Sequence, residues 1–91
     1  MSENQNVEYK QSWRNEYLKW VCGFANANGG VLEIGKDDRG TTVGLDGAAR
    51  LLEEIPNKVL SGLGIVVDVD LVPEAGLSFI RVTVEPYPYP V

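Results

Sequence analysis

Residues 24–44 read FANANGGVLEIGKDDRGTTVG, and their order predicts a helix end, a turn, a buried strand, an acidic turn and a second strand. The Asn-Gly-Gly sequence at 28–30 suits a helix end, because asparagine and glycine enter the left-handed backbone region in which helices commonly stop. The mostly apolar run that follows predicts a strand, and turn residues at Asp37 and Asp38 separate it from a second extended run. The stretch therefore predicts a helix followed by a β-hairpin with two carboxylates at its tip.

The flanking segments predict a second helix and three more strands. Residues 7–10 predict a short strand, and apolar residues spaced by three and four predict a helix from Ser12, its N-cap. A second helix over 48–63 is expected to break or kink near Pro56, because proline removes a backbone donor. Two alternating segments predict an antiparallel hairpin: 65–72 and 77–85. The predicted order is β-α-β-β-α-β-β, a two-layer α+β domain with a mixed or mainly antiparallel sheet packed by two helices.

Length and composition describe one small domain, residues 1–91. Hydrophobic residues make up 44% of the chain, and no apolar run approaches the roughly 20 residues that cross a bilayer. The polar start differs from a signal peptide, so we expect a cytoplasmic location and no membrane partner. Every second residue from 86 to 90 is a proline, which favours an extended chain that leaves the domain. We therefore expect the domain to be the N-terminal part of a longer protein.

Two residue counts exclude common kinds of site. The chain has no histidine, which excludes the usual hydrolase triads and most transition-metal sites. Cys22 is the single cysteine, so neither an internal disulfide nor a cysteine-cluster zinc site is possible. We expect Cys22 to be a small core residue.

The charge of the chain is unevenly distributed. A net charge of −5 argues against a globally basic surface of the kind that duplex nucleic acid usually requires. The cations are nevertheless concentrated in the first 40 residues: Lys10, Arg14, Lys19, Lys36 and Arg39. A local basic patch is therefore expected.

One glycine motif matches the letters of a phosphate loop. Gly30, Gly35 and Lys36 fit G-x-x-x-x-G-K, but Asp37 stands where a hydroxyl would hold magnesium. A strand rather than a helix is predicted within the motif, so its amides would not point at phosphates. ATP is therefore not expected as a cofactor.

Four carboxylates form a candidate metal site. Glu3, Glu8, Asp37 and Asp38 are separated in the sequence, but a first strand beside the central hairpin would bring Glu8 near the two turn aspartates. The oxygens of Glu8, Asp37 and Asp38 suit Mg²⁺ or Mn²⁺, and such an ion activates water against a phosphodiester. Alternatively, the turn aspartates only bond backbone amides and stabilise the turn.

Three motifs follow one another along the chain: E-x-K at 8–10, F-A-N-x-x-G-G at 24–30, and I-G-x-D-D-x-G at 34–40. In this order they resemble the Schlafen-type AlbA-like domain, also catalogued as a divergent AAA domain. In bacteria that domain occurs in proteins named as transcriptional regulators and as RecG-related ATP-dependent DNA helicases. The resemblance therefore implies association with nucleic acid. Animal Schlafen proteins that resemble this region include RNA-cleaving members with three essential acids, which the resemblance places at Glu3, Glu8 and either Asp37 or Asp38.

Three functions remain open from the sequence. The first is binding of DNA or RNA through Lys10, Arg14, Lys36 and Arg39, near Asn26 and the amides of Gly29 and Gly30. The second is a metal-dependent ribonuclease with Glu3, Glu8, Asp37 and Asp38 as catalytic residues. The third is a protein-interaction module or homo-oligomer built through an exposed strand, which the acidic balance favours.

Overall fold

The computed structural model of the chain describes residues 6–91. Its four strands are β1 (Val7–Lys10), β2 (Gly30–Ile34), β3 (Asp68–Glu74) and β4 (Leu77–Val84). Helix α1 (Leu18–Ala25), preceded by a 3-10 turn at Asn15–Tyr17, links β1 to β2, and α2 (Ala48–Leu63) links β2 to β3. The sheet order is β1-β2-β4-β3, in which β1 and β2 are parallel and the other pairs are antiparallel. The predicted α+β class with a mixed sheet and two helices is confirmed.

Both helices contribute to one core against the sheet. On α2 the buried residues recur every four positions, at Leu51, Ile55 and Val59, which is the stripe that an amphipathic helix presents to a sheet. The sheet contributes alternate residues of its two central strands: Leu32, Ile34, Ile80, Val82 and Val84. Among the helices of residues 6–91, none covers the opposite sheet face. No helix within residues 6–91 combines the length and the apolar composition required to cross a membrane.

The segment after the acidic turn does not form the predicted second strand. It forms one isolated β-bridge with the residues that follow β2, between Lys36 and Thr42. The Asp37 carboxylate accepts the N–H of Thr41 at 2.9 Å, which draws this segment into the turn instead of extending a ladder. The observed element order is therefore β-α-β-α-β-β.

The first helix starts later than predicted. Arg14 has extended backbone angles (φ −137°, ψ 144°), which interrupt the helical run predicted from Ser12. The residue before α1 is Tyr17, and no side chain caps the helix. Ser12 is therefore not the N-cap.

Helix α2 continues through Pro56, so a break there is excluded and the kink stays a prediction. Pro56 cannot donate a backbone hydrogen bond, but the buried stripe on either side of it keeps the helix packed against the sheet. The helix ends as predicted at Gly64, which is left-handed (φ 73°) and donates its N–H to Leu60 O at 2.9 Å.

Strand β3 begins three residues later than predicted and contains Pro73. Ile65 and Val67 are buried in the core before the strand starts. Leu71 and Leu77 are 43% and 45% exposed. Pro73 is tolerated because β3 lies at the edge of the sheet, where a missing donor breaks no ladder bond.

Candidate functional site

Strand β2 divides the predicted site residues into two groups. Gly29 and Gly30 lie at its amino end, and the turn with Asp37 and Asp38 follows its carboxyl end. Five extended residues span roughly 16 Å at about 3.3 Å per residue. The structure therefore does not bring the glycine turn next to the aspartate turn.

Asn26, at the amino end, holds the last segment of the chain. Its side-chain oxygen accepts the N–H of Val91 at 2.7 Å, and its amide nitrogen donates to Val91 O at 3.3 Å. Cys22 Sγ also donates to Val91 O, and Tyr87 N donates to Ala25 O at 2.8 Å. These bonds give Asn26 a structural task in the position where sequence analysis placed a nucleic-acid contact.

The two glycines at this end allow close packing. Gly29 has a left-handed backbone (φ 83°), and a Cβ on it would lie 2.7 Å from Val84 O. A Cβ on Gly30 would lie 2.6 Å from the Phe24 ring. The F-A-N-x-x-G-G motif therefore lets the end of α1 dock directly on β2 and β4.

At the carboxyl end of β2, the first strand and the aspartate turn are neighbours. Gly35 N and Lys36 N both donate to Lys10 O, at 2.7 and 3.1 Å. The Tyr9 ring packs on Gly40, where an added Cβ would lie 2.9 Å from the ring. The E-x-K and I-G-x-D-D-x-G motifs thus meet at one edge of the sheet.

The carboxylates at this end differ in their surroundings. Asp37 accepts the N–H groups of Arg39 and Thr41, both at 2.9 Å, so it stabilises the turn. Asp38 is exposed, and Glu8 lies 3.4 Å from Lys10 Nζ. Within residues 6–91, no three acidic or cysteine side chains are grouped closely enough to hold a metal ion. Glu3, one of the four predicted catalytic acids, lies outside the described residues.

Two of the predicted cations are partly or fully enclosed. Lys10 Nζ lies 4.8 Å from the centre of the Tyr17 ring and 5.4 Å from that of Trp20, which is cation–π geometry. Lys36 is only 8% exposed, and its Nζ is 2.8 Å from Glu33 and 4.0 Å from the Phe79 ring centre. Lys36 is therefore committed to contacts inside the domain.

Glu33 is the centre of a buried charge cluster that sequence analysis missed. It is 7% exposed and also accepts a hydrogen bond from Arg81 Nε at 3.0 Å. Burial by itself raises the pKa of Glu33, but the hydrogen bonds and charges of Lys36 and Arg81 outweigh it, so the pKa lies below its ordinary value. A lone glutamate in the apolar run 31–34, three residues before a lysine, was the available sequence signal.

One exposed arginine lines an open cleft at the same end of the sheet. Arg14 and Arg39 are exposed, and the Arg50 side chain is 79% exposed at the cleft wall. Arg50 was not among the predicted site residues, because its position on α2 is far away in the sequence. The cleft has a volume of about 500 Å³. Its lining comes from the loop after β1, the loop before α2 and the first turns of α2: Gln11, Ser12, Trp13, Val43, Gly44, Leu45, Asp46, Arg50 and Leu51, with Leu77 from β4.

The cleft is next to the ends of two parallel strands. It lies beyond the carboxyl ends of the parallel pair β1 and β2, which is where open α/β sheets commonly bind ligands. Trp13 contributes an aromatic side chain to the wall, and its indole N–H is buried without a hydrogen-bond partner among residues 6–91. The lining therefore combines one exposed cation, Arg50, with an aromatic side chain, Trp13, and a carboxylate, Asp46.

Comparison with known proteins gives one family and ten matching chains of solved structure, two of which follow. A family model described as Schlafen, AlbA_2 matches residues 3–91. The crystal structure of the DIP2311 protein from Corynebacterium diphtheriae matches with a TM-score of 0.76 and 19% identity, over 99% of this chain and 19% of that one. The solution NMR structure of the N-terminal domain of an ATP-dependent DNA helicase RecG-related protein from Nitrosomonas europaea matches with a TM-score of 0.75 and 23% identity, over 94% and 66% of the respective chains.

These matches define how far the likeness extends. The chain spans about a fifth of the Corynebacterium protein and about two thirds of the Nitrosomonas chain. At identities of 19% and 23% the likeness shows a shared fold alone. No curated protein matches the chain.

Proposed function

Because the chain belongs to the Schlafen AlbA_2 family, we propose that this domain binds the sugar-phosphate backbone of DNA or RNA at the carboxyl end of β1 and β2. The observation that carries the proposal is the placement of three exposed arginines, one in the loop after β1, one in the turn after β2 and one at the cleft wall on α2: Arg14, Arg39 and Arg50. Guanidinium groups form paired hydrogen bonds with phosphate oxygens, which makes arginine well suited to this contact.

The enclosed lysines have a supporting task in this proposal. Lys10 holds β1 against the rings of Tyr17 and Trp20. Lys36 holds the loop after β2 against the Phe79 ring on the open sheet face. They therefore position the segments that carry the arginines. Asn26, Gly29 and Gly30 act at the other end of β2, where they hold the helix end and the last residues of the chain.

The overall charge of −5 sets the expected strength of binding. Three phosphate contacts release about three counterions, so affinity should fall roughly 20- to 40-fold between 50 and 200 mM salt. Binding to sites of this size is expected in the micromolar range, since acidic residues elsewhere on the domain oppose long-range attraction.

The test is a titration of fluorescently labelled single- and double-stranded DNA and RNA with the 91-residue chain at low and moderate salt. We expect saturable binding that weakens with salt. The absence of salt-sensitive binding to all four probes at high micromolar protein would contradict the proposal.

Helix α2 offers a matched pair of variants for this titration. Arg50 and Lys58 both lie 3.8 Å from Glu54, but Arg50 lines the cleft and Lys58 lies two turns further along the helix. Arg50→Gln should weaken binding and reduce the salt slope by about 0.7–0.9. Lys58→Gln removes the same charge and should leave the slope unchanged. Equal losses in the two variants would point to net charge alone.

In a longer protein, such a domain would serve as the nucleic-acid-binding module. The Nitrosomonas structure is the N-terminal domain of a protein named as RecG-related and as a DNA helicase. We propose the same arrangement here, in a cytoplasmic helicase-like protein or transcriptional regulator. Fusion of the domain to a reporter that requires DNA binding would test this use in cells.

A second candidate is the metal-dependent ribonuclease, which the meeting of β1 with the aspartate turn favours. Glu8 and the exposed Asp38 are the side chains to test, together with Glu3. Incubation of tRNA with Mn²⁺ and the wild-type chain, compared with Asp38→Ala, distinguishes the two candidates. Cleavage that the variant loses supports the nuclease, whereas intact RNA in both reactions supports binding alone.

A further inference from the structure

Strand β3 presents an unpaired backbone edge. It is the last strand in the sheet order, and only β4 pairs with it. The hairpin turn at Ala75 and Gly76 has positive φ at both positions (53° and 79°), as a two-residue type I′ turn requires. The Glu74–Leu77 pair next to this turn is therefore hydrogen-bonded, and bonding alternates along the strand.

This alternation fixes which backbone groups face outward. Asp68, Asp70 and Val72 bond to β4 together with Glu74, so the N–H and C=O groups of Val69 and Leu71 point away from the sheet. Pro73 contributes only its C=O to this edge. Among residues 6–91, no other backbone group bonds to these outward positions.

The two faces of the same strand have different chemistry. Asp68 and Asp70 are exposed on the face without helices, and no lysine or arginine within residues 6–91 lies within 4 Å of either. On the helix-covered face, Leu71 is 43% exposed at the edge and Val69 packs against the core. Arg81 stands opposite Asp70 on β4 but is bonded to Glu33 at 3.0 Å, so the edge alternates apolar surface with carboxylates that form no ion pair within residues 6–91.

A second copy of this chain fits the edge poorly. If two β3 strands paired antiparallel through Val69 and Leu71, Asp70 would stand directly opposite Asp70 of the copy. Like charges in that position destabilise the pair. A strand with cations at alternate positions would instead place opposite charges there.

We propose that the β3 edge binds an extended protein segment in which lysine or arginine alternates with apolar residues. The segment adds a fifth strand to the sheet, and its backbone bonds to Val69 and Leu71. Its cations lie beside Asp68 and Asp70, and its apolar side chains lie beside Leu71. This surface is separate from the cleft at the arginines, so it does not rest on the proposed nucleic-acid function.

The test uses a short fluorescein-labelled peptide in which lysine alternates with valine. Two comparison peptides are a glutamate–valine version and a scrambled peptide with the same lysine and valine content. We expect saturable binding of the alternating lysine peptide alone, with shifts of the Val69 and Leu71 amide signals in ¹⁵N NMR spectra. Asp70→Lys should weaken binding roughly tenfold.

Glu53→Lys is the matched control, because it makes the same charge change at an exposed position on α2. Circular dichroism first establishes that both variants are folded. Equal losses in the two variants, equal binding of the scrambled peptide, or the absence of binding at millimolar peptide would overturn the proposal. A concentration-dependent dimer that Leu71→Lys disrupts would identify a second copy as the occupant and would equally overturn it.

Discussion

Replacement of Glu33 by glutamine tests the account of the buried charge cluster. The substitution keeps the shape of the side chain but removes the negative charge that Lys36 and Arg81 share at 2.8 and 3.0 Å. Lys36 is 8% exposed and would keep only the more exposed Glu74 carboxylate, at 3.8 Å, as a partner. Removal of one partner from a buried pair costs about 3–5 kcal/mol, and we expect the lower end because glutamine still accepts a hydrogen bond.

The assay is urea denaturation followed by tryptophan fluorescence and far-UV circular dichroism. In thermal melts, a loss of about 3 kcal/mol corresponds to a fall in Tm of roughly 12–24 °C for a domain of this size. Glu53→Gln, on the exposed face of α2, is the control and should change the free energy of unfolding by less than about 0.5 kcal/mol. If Glu33→Gln were as mild as the control, the cluster would not stabilise the fold and Lys36 would be available for other contacts.

The difference in unfolding free energy between wild type and Glu33→Gln should change with pH in a defined direction. The pKa of Glu33 lies below its ordinary value in the folded domain, so its stabilising contribution is complete above the unfolded pKa near 4.3. It is lost as the pH falls through the folded pKa. The gap between wild type and Glu33→Gln should therefore be constant at neutral pH and narrow below about pH 4. A gap that widens on acidification would refute the reasoning.

Two further predictions concern the amino end of β2. Gly30→Ala should destabilise the domain by about 1–3 kcal/mol, because the new Cβ would lie 2.6 Å from the Phe24 ring. The control is Gly23→Ala, at a helical position where a Cβ would meet no atom within 4 Å. It should be neutral or stabilising by up to about 1 kcal/mol in the same thermal melts. Equal effects of the two substitutions would show that the packing at Gly30 is looser than described. Asn26→Ala should release the last residues of the chain, which hydrogen exchange at the Val91 amide measures, and should leave nucleic-acid binding intact; unchanged exchange would contradict the role of Asn26.

The sequence predicted the fold class because hydrophobic periodicity reports burial directly. The alternating segments and the α2 stripe at Leu51, Ile55 and Val59 are independent of distant contacts. Element bounds were less predictable where tertiary structure decided them. Pro56 remains helical because the stripe is packed, and the segment with Thr41 leaves the sheet because the Asp37 side chain captures its N–H.

The site was only partly predictable for a different reason. Motif order placed β1 and the aspartate turn together, and the structure has them in contact through Tyr9 and Gly40. The sequence did not reveal that Asn26 and the two glycines lie at the opposite end of β2, since a motif shows which residues occur together and not which direction they face. The position of Arg50 at the cleft depends on how α2 packs, and no local sequence pattern reports that packing.

The most direct test of the central claim is a ¹⁵N chemical-shift titration of the chain with a short oligonucleotide that binds it. The account predicts that the perturbed amides cluster at the carboxyl end of β1 and β2, in the segments 11–14, 37–40 and 45–50. It also predicts that the amides of Gly29 and Gly30 remain unperturbed. Shifts centred on the glycine turn, with the arginine segments unaffected, would contradict the claim.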